Sequence, residues 1–270
     1  MENNADMERK LDVGATLNQV FSTYSAQAGV LLPVAFVLYL VVGVVSALLA
    51  GSLILVPLVW AVSTAAAMLY QGMVVSLVRD VQDGRRDSTV GDLFDEAMPV
   101  LLPLIGAGIL AGLGIGIGLF LLVVPGLILM TIWAVIAPVI VIEHSGVIDA
   151  FGRSREIVRD HGWQVFGVIV CVALIGFVAL FVFALIAVAI SDSVVMRIIF
   201  NVIAYTLTAP LTALAAVTIY FNLLAIKGGA APAAAYGEVP PPPAPGATPP
   251  PPPPAPGPPP PPAPPAPPAV

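Results

Sequence analysis

The chain has 270 residues and a formal net charge of −6; 59% of its residues are hydrophobic and only 10% are charged. A soluble domain carries about 25% charged residues, so this composition excludes an ordinary soluble protein. The acidic balance argues against a nucleic-acid partner, which requires a basic surface, and the single cysteine, Cys171, excludes a disulfide framework or a four-cysteine zinc site.

The N-terminal segment, residues 1–27, is mainly polar and begins Met-Glu-Asn-Asn-Ala-Asp. A secretory signal peptide has a basic region followed directly by an apolar core and a cleavage site. We therefore expect no cleaved signal here. The segment is predicted to be cytoplasmic and to include an interfacial helix, and the first membrane helix then serves as the targeting signal.

Long stretches without a charged residue predict the membrane-spanning helices. Such stretches follow Asp12, Glu96, Asp160 and Arg197. A spanning helix needs about 20 mostly apolar residues, so the first two stretches accommodate two helices each and the last two accommodate one each. The predicted class is an all-α membrane protein with six transmembrane helices within residues 28–227, at 28–50, 53–78, 100–123, 126–142, 162–190 and 198–226.

Lysine and arginine predict how these spans are oriented. With six spans, one basic residue, Arg197, falls on one side of the membrane and nine fall on the other. Basic residues are enriched in cytoplasmic loops. We therefore expect a multi-pass protein of the plasma (inner) membrane with both termini in the cytoplasm. The nine are Arg9, Lys10, Arg79, Arg85, Arg86, Arg153, Arg155, Arg159 and Lys227.

A short pattern recurs before spans 1, 3 and 5, at residues 13–17, 90–94 and 147–151, with apolar residues at positions i and i+4. We interpret the chain as three units, each an interfacial helix followed by a membrane hairpin. These helices either lie on the membrane surface as sensors or docking sites or brace the hairpins. The pattern favours bracing.

Glycines are concentrated in the third predicted span and repeat at a spacing of four residues. In lipid, small residues let helices approach closely, so we expect this span to be a tightly packed interior helix; a pore or flexible gate is the alternative. The predicted packing positions are Gly108, Gly112, Gly114, Gly116 and Gly118.

Arginines between spans 4 and 5 form the main candidate binding site. Arg153, Arg155 and Arg159, together with Glu143, are predicted to lie at the cytoplasmic interface. Guanidinium groups suit a lipid phosphate or a partner carboxylate. The alternative is that these arginines anchor the orientation and pair with neighbouring acids, and this alternative is favoured.

Catalytic and metal-binding motifs are incomplete in this sequence. Asp80 and Asp83, followed by Gly84, resemble the beginning of the metal-binding pattern of phospholipid-headgroup transferases, whose carboxylates hold a divalent cation. The remaining acids are out of register, so the pair is a weak metal candidate. We expect neither a cofactor nor enzymatic activity.

The C-terminal segment, residues 228–270, contains 22 of the 29 prolines. Proline fixes the backbone angle φ and removes a hydrogen-bond donor, so we expect a disordered cytoplasmic tail of polyproline II character. The tail either binds a cytoplasmic protein or acts as a semi-rigid spacer; the second is favoured.

Several short motifs spread along the chain match a known membrane family. They include Val13-Gly14, Gly84-Arg85, Val124-Pro125-Gly126, Pro138-Val139, Arg153-Ser154 and Gly162-Trp163. Through these motifs, residues 12–227 resemble a family of poorly characterised six-helix membrane proteins related to the membrane domain of glycerophosphodiester phosphodiesterases. The resemblance implies the membrane fold. In that family the phosphodiesterase is a separate soluble domain with a His-Arg-Gly motif, whereas His144 and His161 here precede Ser145 and Gly162, so no activity is carried over.

Three functions follow as hypotheses. The first is a non-enzymatic scaffold or envelope-associated factor that recruits partners through its tail or its interfacial helices. The second is a small permease or lipid-handling protein, with membrane lipids as ligands. The third is a metal-dependent lipid-headgroup enzyme. The sequence predicts no oligomeric state.

Overall fold

Helices account for nearly all of the described chain. The structure, a computed structural model, describes residues 11–49, 53–83, 89–190 and 193–228, and no strand occurs among them. The α-helices are α1 (Val13–Leu48), α2 (Val56–Gln82), α3 (Val90–Ala97), α4 (Leu101–Leu121), α5 (Val123–Ile132), α6 (Ile136–Glu143), α7 (Val147–Val158), α8 (Gly162–Ile190) and α9 (Val194–Lys227). Short 3₁₀ segments precede α2, α4 and α8 at Leu53–Leu55, Met98–Val100 and Arg159–His161.

Six segments of the described chain are long and apolar enough to cross a membrane. This finding confirms the predicted all-α membrane class. The interfacial segments expected before spans 3 and 5 are the separate helices α3 and α7. The spanning segments are Val13–Leu48, Val56–Gln82, Val90–Leu121, Val123–Glu143, Val147–Ile190 and Val195–Lys227.

The first unit differs from the other two because its interfacial segment and its span form one continuous helix, α1. The Asp12 side chain caps the start of α1 by accepting a hydrogen bond of 2.9 Å from the Ala15 N–H. Pro33 lies inside this helix without ending it. The expected start of span 1 at residue 28 is therefore not a helix boundary.

The fourth span, predicted as one helix over residues 126–142, is broken. It consists of α5 and α6, joined by a turn at residues 133–135. Pro138 explains the break, because it offers no N–H to the carbonyl of Ala134 and its ring clashes with that carbonyl in a regular helix. The Ile136 N–H bonds instead to the Trp133 carbonyl at 3.4 Å.

The bundle has two ends that differ in packing. We call the end that holds Val13 and Lys227 the termini face and the end that holds Leu48 and Val123 the distal face. The Asn222 amide donates a hydrogen bond of 3.0 Å to Gln19 near the termini face, which shows that α1 and α9 run antiparallel.

Helix length explains why the core lies toward the termini face. Helices α1 and α9 have 36 and 34 residues, whereas about 20 residues cross the hydrocarbon core. Many buried side chains lie on the termini-face parts of α2, α6 and α9, such as Val75, Ile140 and Leu214. Exposed large apolar side chains instead predominate toward the distal face, where lipid would surround them.

Candidate functional site

A cluster of charged and phenolic side chains fastens span 4, α7 and span 6 together at the termini face. The Arg153 Nε donates to both Glu143 oxygens at 3.0 and 3.2 Å, and its Nη1 donates to Glu156 at 3.0 Å. The buried Tyr220 hydroxyl donates to the same Glu143 carboxylate at 3.0 Å. Arg153 and Glu143 are thus engaged within the chain, as the pairing alternative expects.

The three candidate arginines occupy different environments. Arg153 belongs to the charged cluster, whereas Arg155 is exposed on α7. Arg159 follows α7 in the 3₁₀ segment and is also exposed. Within the described chain, neither Arg155 nor Arg159 forms an ion pair; the neighbouring Asp160 is 3.5 Å from the Lys227 ammonium.

Arg159 lines a cleft between α5 and α8, which we call the lateral cleft. Its volume is about 480 Å³. Trp163 is 83% exposed and Ile128 is 54% exposed, so the cleft opens at the side of the bundle. Its lining residues are Leu127, Ile128, Thr131, Ile132, Arg159, Asp160, Gly162, Trp163, Gln164 and Phe166.

The lateral cleft combines three chemical groups that suit a lipid. Arg159 supplies positive charge, Trp163 has the amphipathic ring that favours a membrane–water interface, and Leu127, Ile128 and Phe166 supply an apolar wall. Arg159 is a candidate from the sequence alone, whereas the apolar wall is not, because α5 and α8 meet only in the folded chain.

Ser154 connects α7 to the broken fourth span. Its side chain is fully buried, and its hydroxyl donates a hydrogen bond of 2.8 Å to the Ile132 carbonyl. In a regular helix the Ile136 N–H would bond to this carbonyl. Ser154 therefore satisfies an acceptor that the break at Trp133 leaves free, and α7 braces the hairpin at this point.

The glycines of α4 have unequal surroundings. A Cβ at Gly108 would lie 2.8 Å from Met68, one at Gly114 would lie 2.7 Å from Trp133, and one at Gly112 would be in ordinary contact with Trp60 at 3.8 Å. A Cβ at Gly116 would meet no atom within 4 Å. The close neighbours therefore include α2 and the turn in the middle of span 4, and not every predicted position has one.

Helices α4 and α5 approach each other closely at Gly118 and Gly126. A Cβ at Gly118 would lie 2.9 Å from the Gly126 Cα, and one at Gly126 would lie 2.5 Å from the backbone nitrogen of Leu119. Gly126 is not among the packing positions predicted from the sequence. The sequence does contain a signal for this contact, because Gly118 lies four residues before Leu122 and Gly126 lies four residues after it.

The weak metal candidates lie in unlike environments. Asp80 is buried and Asp83 is exposed at the end of α2. Among the described residues, no group of three or more His, Cys, Asp or Glu side chains is arranged to hold a metal ion. Gly84, Arg85 and Arg86 lie outside the described residues.

A second cavity, which we call the distal cavity, lies among α1, α2 and α9 toward the distal face and has a volume of about 570 Å³. The rings of Tyr39 and Tyr205 stack at its inner end, with centroids 5.5 Å apart. Its lining residues are Tyr39, Val42, Gly43, Ser46, Trp60, Ser63, Thr64, Ala67, Arg197, Ile198, Asn201, Val202 and Tyr205.

Comparison with known proteins identifies a family without a described function. Residues 97–238, more than half of the chain, match the family described as "Domain of unknown function (DUF7847)". No curated protein and no solved structure matches the chain. The relation to the membrane domain of glycerophosphodiester phosphodiesterases therefore stays a prediction. The chain belongs to the DUF7847 family.

Proposed function

We propose that this protein is a non-enzymatic, lipid-handling membrane protein that binds a phospholipid in the lateral cleft. The observation that carries the proposal is the position of Arg159 beside an apolar cleft that opens at the side of the bundle. A lipid-handling role is the second of the three functions that the sequence suggests.

The chemistry of the lining supports a phospholipid as the ligand. A guanidinium group binds a phosphate oxygen through charge-assisted hydrogen bonds, and Arg159 has no ion-pair partner among the described residues. The adjacent negative charge, Asp160, is offset by Lys227 at 3.5 Å. An acyl chain would lie against Leu127, Ile128 and Phe166.

The proposed location is the plasma membrane, with the lateral cleft on the cytoplasmic side and both termini in the cytoplasm. The support is the distribution of lysine and arginine in the sequence, since cytoplasmic segments carry the excess of these residues. The cleft would then take its ligand from the cytoplasmic leaflet, where anionic phospholipids are abundant.

Arg159→Gln is expected to weaken phospholipid binding by more than tenfold. A hydrogen bond to a charged group contributes about 1.5–3 kcal/mol, and about 1.4 kcal/mol corresponds to tenfold in affinity. The measurement is native mass spectrometry of the full-length protein, delipidated in mild detergent and titrated with phosphatidylglycerol.

Arg155→Gln is the matched control, because Arg155 is exposed and lies outside the lateral cleft. It removes the same charge from the same face and is expected to leave affinity within twofold of the wild type. Equal losses in both variants would show that binding depends only on overall surface charge. An unchanged affinity in Arg159→Gln would overturn the proposal directly.

The scaffold hypothesis depends on the proline-rich segment 228–270. All of that segment except Gly228 lies outside the described residues, so recruitment of a cytoplasmic protein stays a prediction. The metal-dependent enzyme also stays a hypothesis, and neither Asp80 nor Asp83 lines the lateral cleft.

A further inference from the structure

We propose that the distal cavity is a second binding site, which takes a single-chain amphiphile with an anionic headgroup and holds that headgroup at Arg197. This site is separate from the lateral cleft: it is lined by α1, α2 and α9 and lies toward the opposite face. The inference thus goes beyond the proposed binding of a phospholipid.

The position of Arg197 is the first support for this site. Arg197 lies three residues inside the start of α9, about 4.5 Å along the helix axis. Arg197 is exposed, and an arginine near a helix end keeps its guanidinium at the membrane–water interface while its stem lies along apolar surface, so its charge is placed at the outer end of the cavity, where an anionic headgroup would lie. Ser46 of α1 lines the same outer part of the cavity and adds a hydroxyl group.

The length of the cavity fits a chain aligned with one leaflet. From Arg197 to Tyr205 the α9 side of the cavity covers eight residues, about 12 Å along the axis. Half of the hydrocarbon core is about 15 Å. An amphiphile whose anion lies at Arg197 would therefore extend its chain from the distal face toward the stacked rings of Tyr39 and Tyr205.

The volume of the distal cavity is close to that of one alkyl chain with its headgroup. At about 30 Å³ for each non-hydrogen atom, the volume that a water molecule occupies in the liquid, a cavity of about 570 Å³ accommodates about 19 atoms. This is the size of a fatty acid or an alkyl phosphate.

Hydrogen bonding within the helices leaves the middle of the cavity suited to an alkyl chain. The hydroxyl groups of Ser63 and Thr64 donate to the carbonyls of Val59 and Trp60 at 2.8 and 2.9 Å. The Asn201 amide donates to the Arg197 carbonyl at 2.9 Å. Because these donors are satisfied by backbone carbonyls, an alkyl chain can lie beside them without breaking a hydrogen bond.

The test compares three ligands of equal chain length on the full-length protein in nanodiscs of neutral phosphatidylcholine. Dodecanoate, dodecyl phosphate and dodecanol compete with a fluorescent fatty acid at alkaline pH, and empty nanodiscs correct for partition into lipid. We expect at least one of the two anions to bind about tenfold tighter than the alcohol. Their relative affinities distinguish a carboxylate from a phosphate ligand.

Arg197→Gln is expected to reduce the affinity for the preferred anion to that for dodecanol, and Arg197→Lys to retain part of the difference. Thr64→Leu, which fills the cavity and keeps the arginine, is expected to weaken all three ligands about tenfold or more. Arg159→Gln is the control for the other site and should leave these affinities unchanged.

Three results would overturn the inference: equal affinity of the wild type for the anions and dodecanol, an unchanged preference in Arg197→Gln, or no binding above that of empty nanodiscs. None of these results bears on phospholipid binding in the lateral cleft. Conversely, an unchanged phospholipid affinity in Arg159→Gln would overturn binding in the lateral cleft. That result would leave the inference about the distal cavity standing.

Discussion

Gly126→Ala is expected to lower the free energy of unfolding by about 1–3 kcal/mol, the usual cost of overpacking a well-packed site. Only Leu122 separates α4 from α5, so the two helices reverse direction over one residue. A Cβ at position 126 would lie 2.5 Å from the backbone nitrogen of Leu119. Because a backbone atom cannot rotate away, the hairpin itself must open.

Gly116→Ala is the matched control for this effect. It lies in the same hairpin, but its Cβ would meet no atom within 4 Å, so the expected change is within about 0.5 kcal/mol. Unfolding is followed by circular dichroism of the detergent-solubilised protein during heating. Equal melting temperatures for the two variants would contradict the close approach of α4 and α5.

The spans were predictable because the requirement that produces them is local. Each helix that crosses the membrane needs about 20 apolar residues without charge, and the stretches after Asp12, Glu96, Asp160 and Arg197 show this directly. The lengths of the helices were less predictable. Nothing in the charge pattern distinguishes the part of α1 inside lipid from the part that extends beyond it.

Proline alone could not have predicted the break in span 4. Pro33 and Pro210 lie inside the continuous helices α1 and α9, whereas Pro138 accompanies a turn. Pro138 differs from the other two prolines because a side chain from another helix compensates for the break. The hydroxyl of Ser154 in α7 donates a hydrogen bond to the Ile132 carbonyl that the turn leaves free. Such a contact between residues 22 positions apart is a property of the fold.

The candidate site was predictable in composition but not in arrangement. The sequence indicates Arg153, Arg155 and Arg159 as one basic group. Only the fold shows that the first is paired with acidic side chains, the second is exposed and the third lines the lateral cleft. The two cavities were not predictable because each is formed by helices distant in sequence. The lateral cleft needs α5 beside α8, and the distal cavity needs α1 and α2 beside α9.

Ser154→Ala is expected to destabilise the protein by about 1–3 kcal/mol, the cost of leaving a buried hydrogen-bonding group unsatisfied. The Ile132 carbonyl would lose the hydroxyl donor that lies 2.8 Å away. Ser25→Ala is the control, because Ser25 is exposed and its hydroxyl donates to the Ser22 carbonyl within the same helix. Its expected change, measured by the same thermal unfolding, is within about 0.5 kcal/mol.

A second substitution tests whether the role of Ser154 depends on the broken span. Pro138→Ala restores an N–H that can bond to the Ala134 carbonyl, which allows span 4 to close into a regular helix and the Ile136 N–H to bond to Ile132. In that background Ser154→Ala should cost less, with a coupling of about 0.5–3 kcal/mol between the two sites. Additive effects would instead show that Ser154 stabilises α7 independently of the turn, and the explanation given for the break would then be wrong.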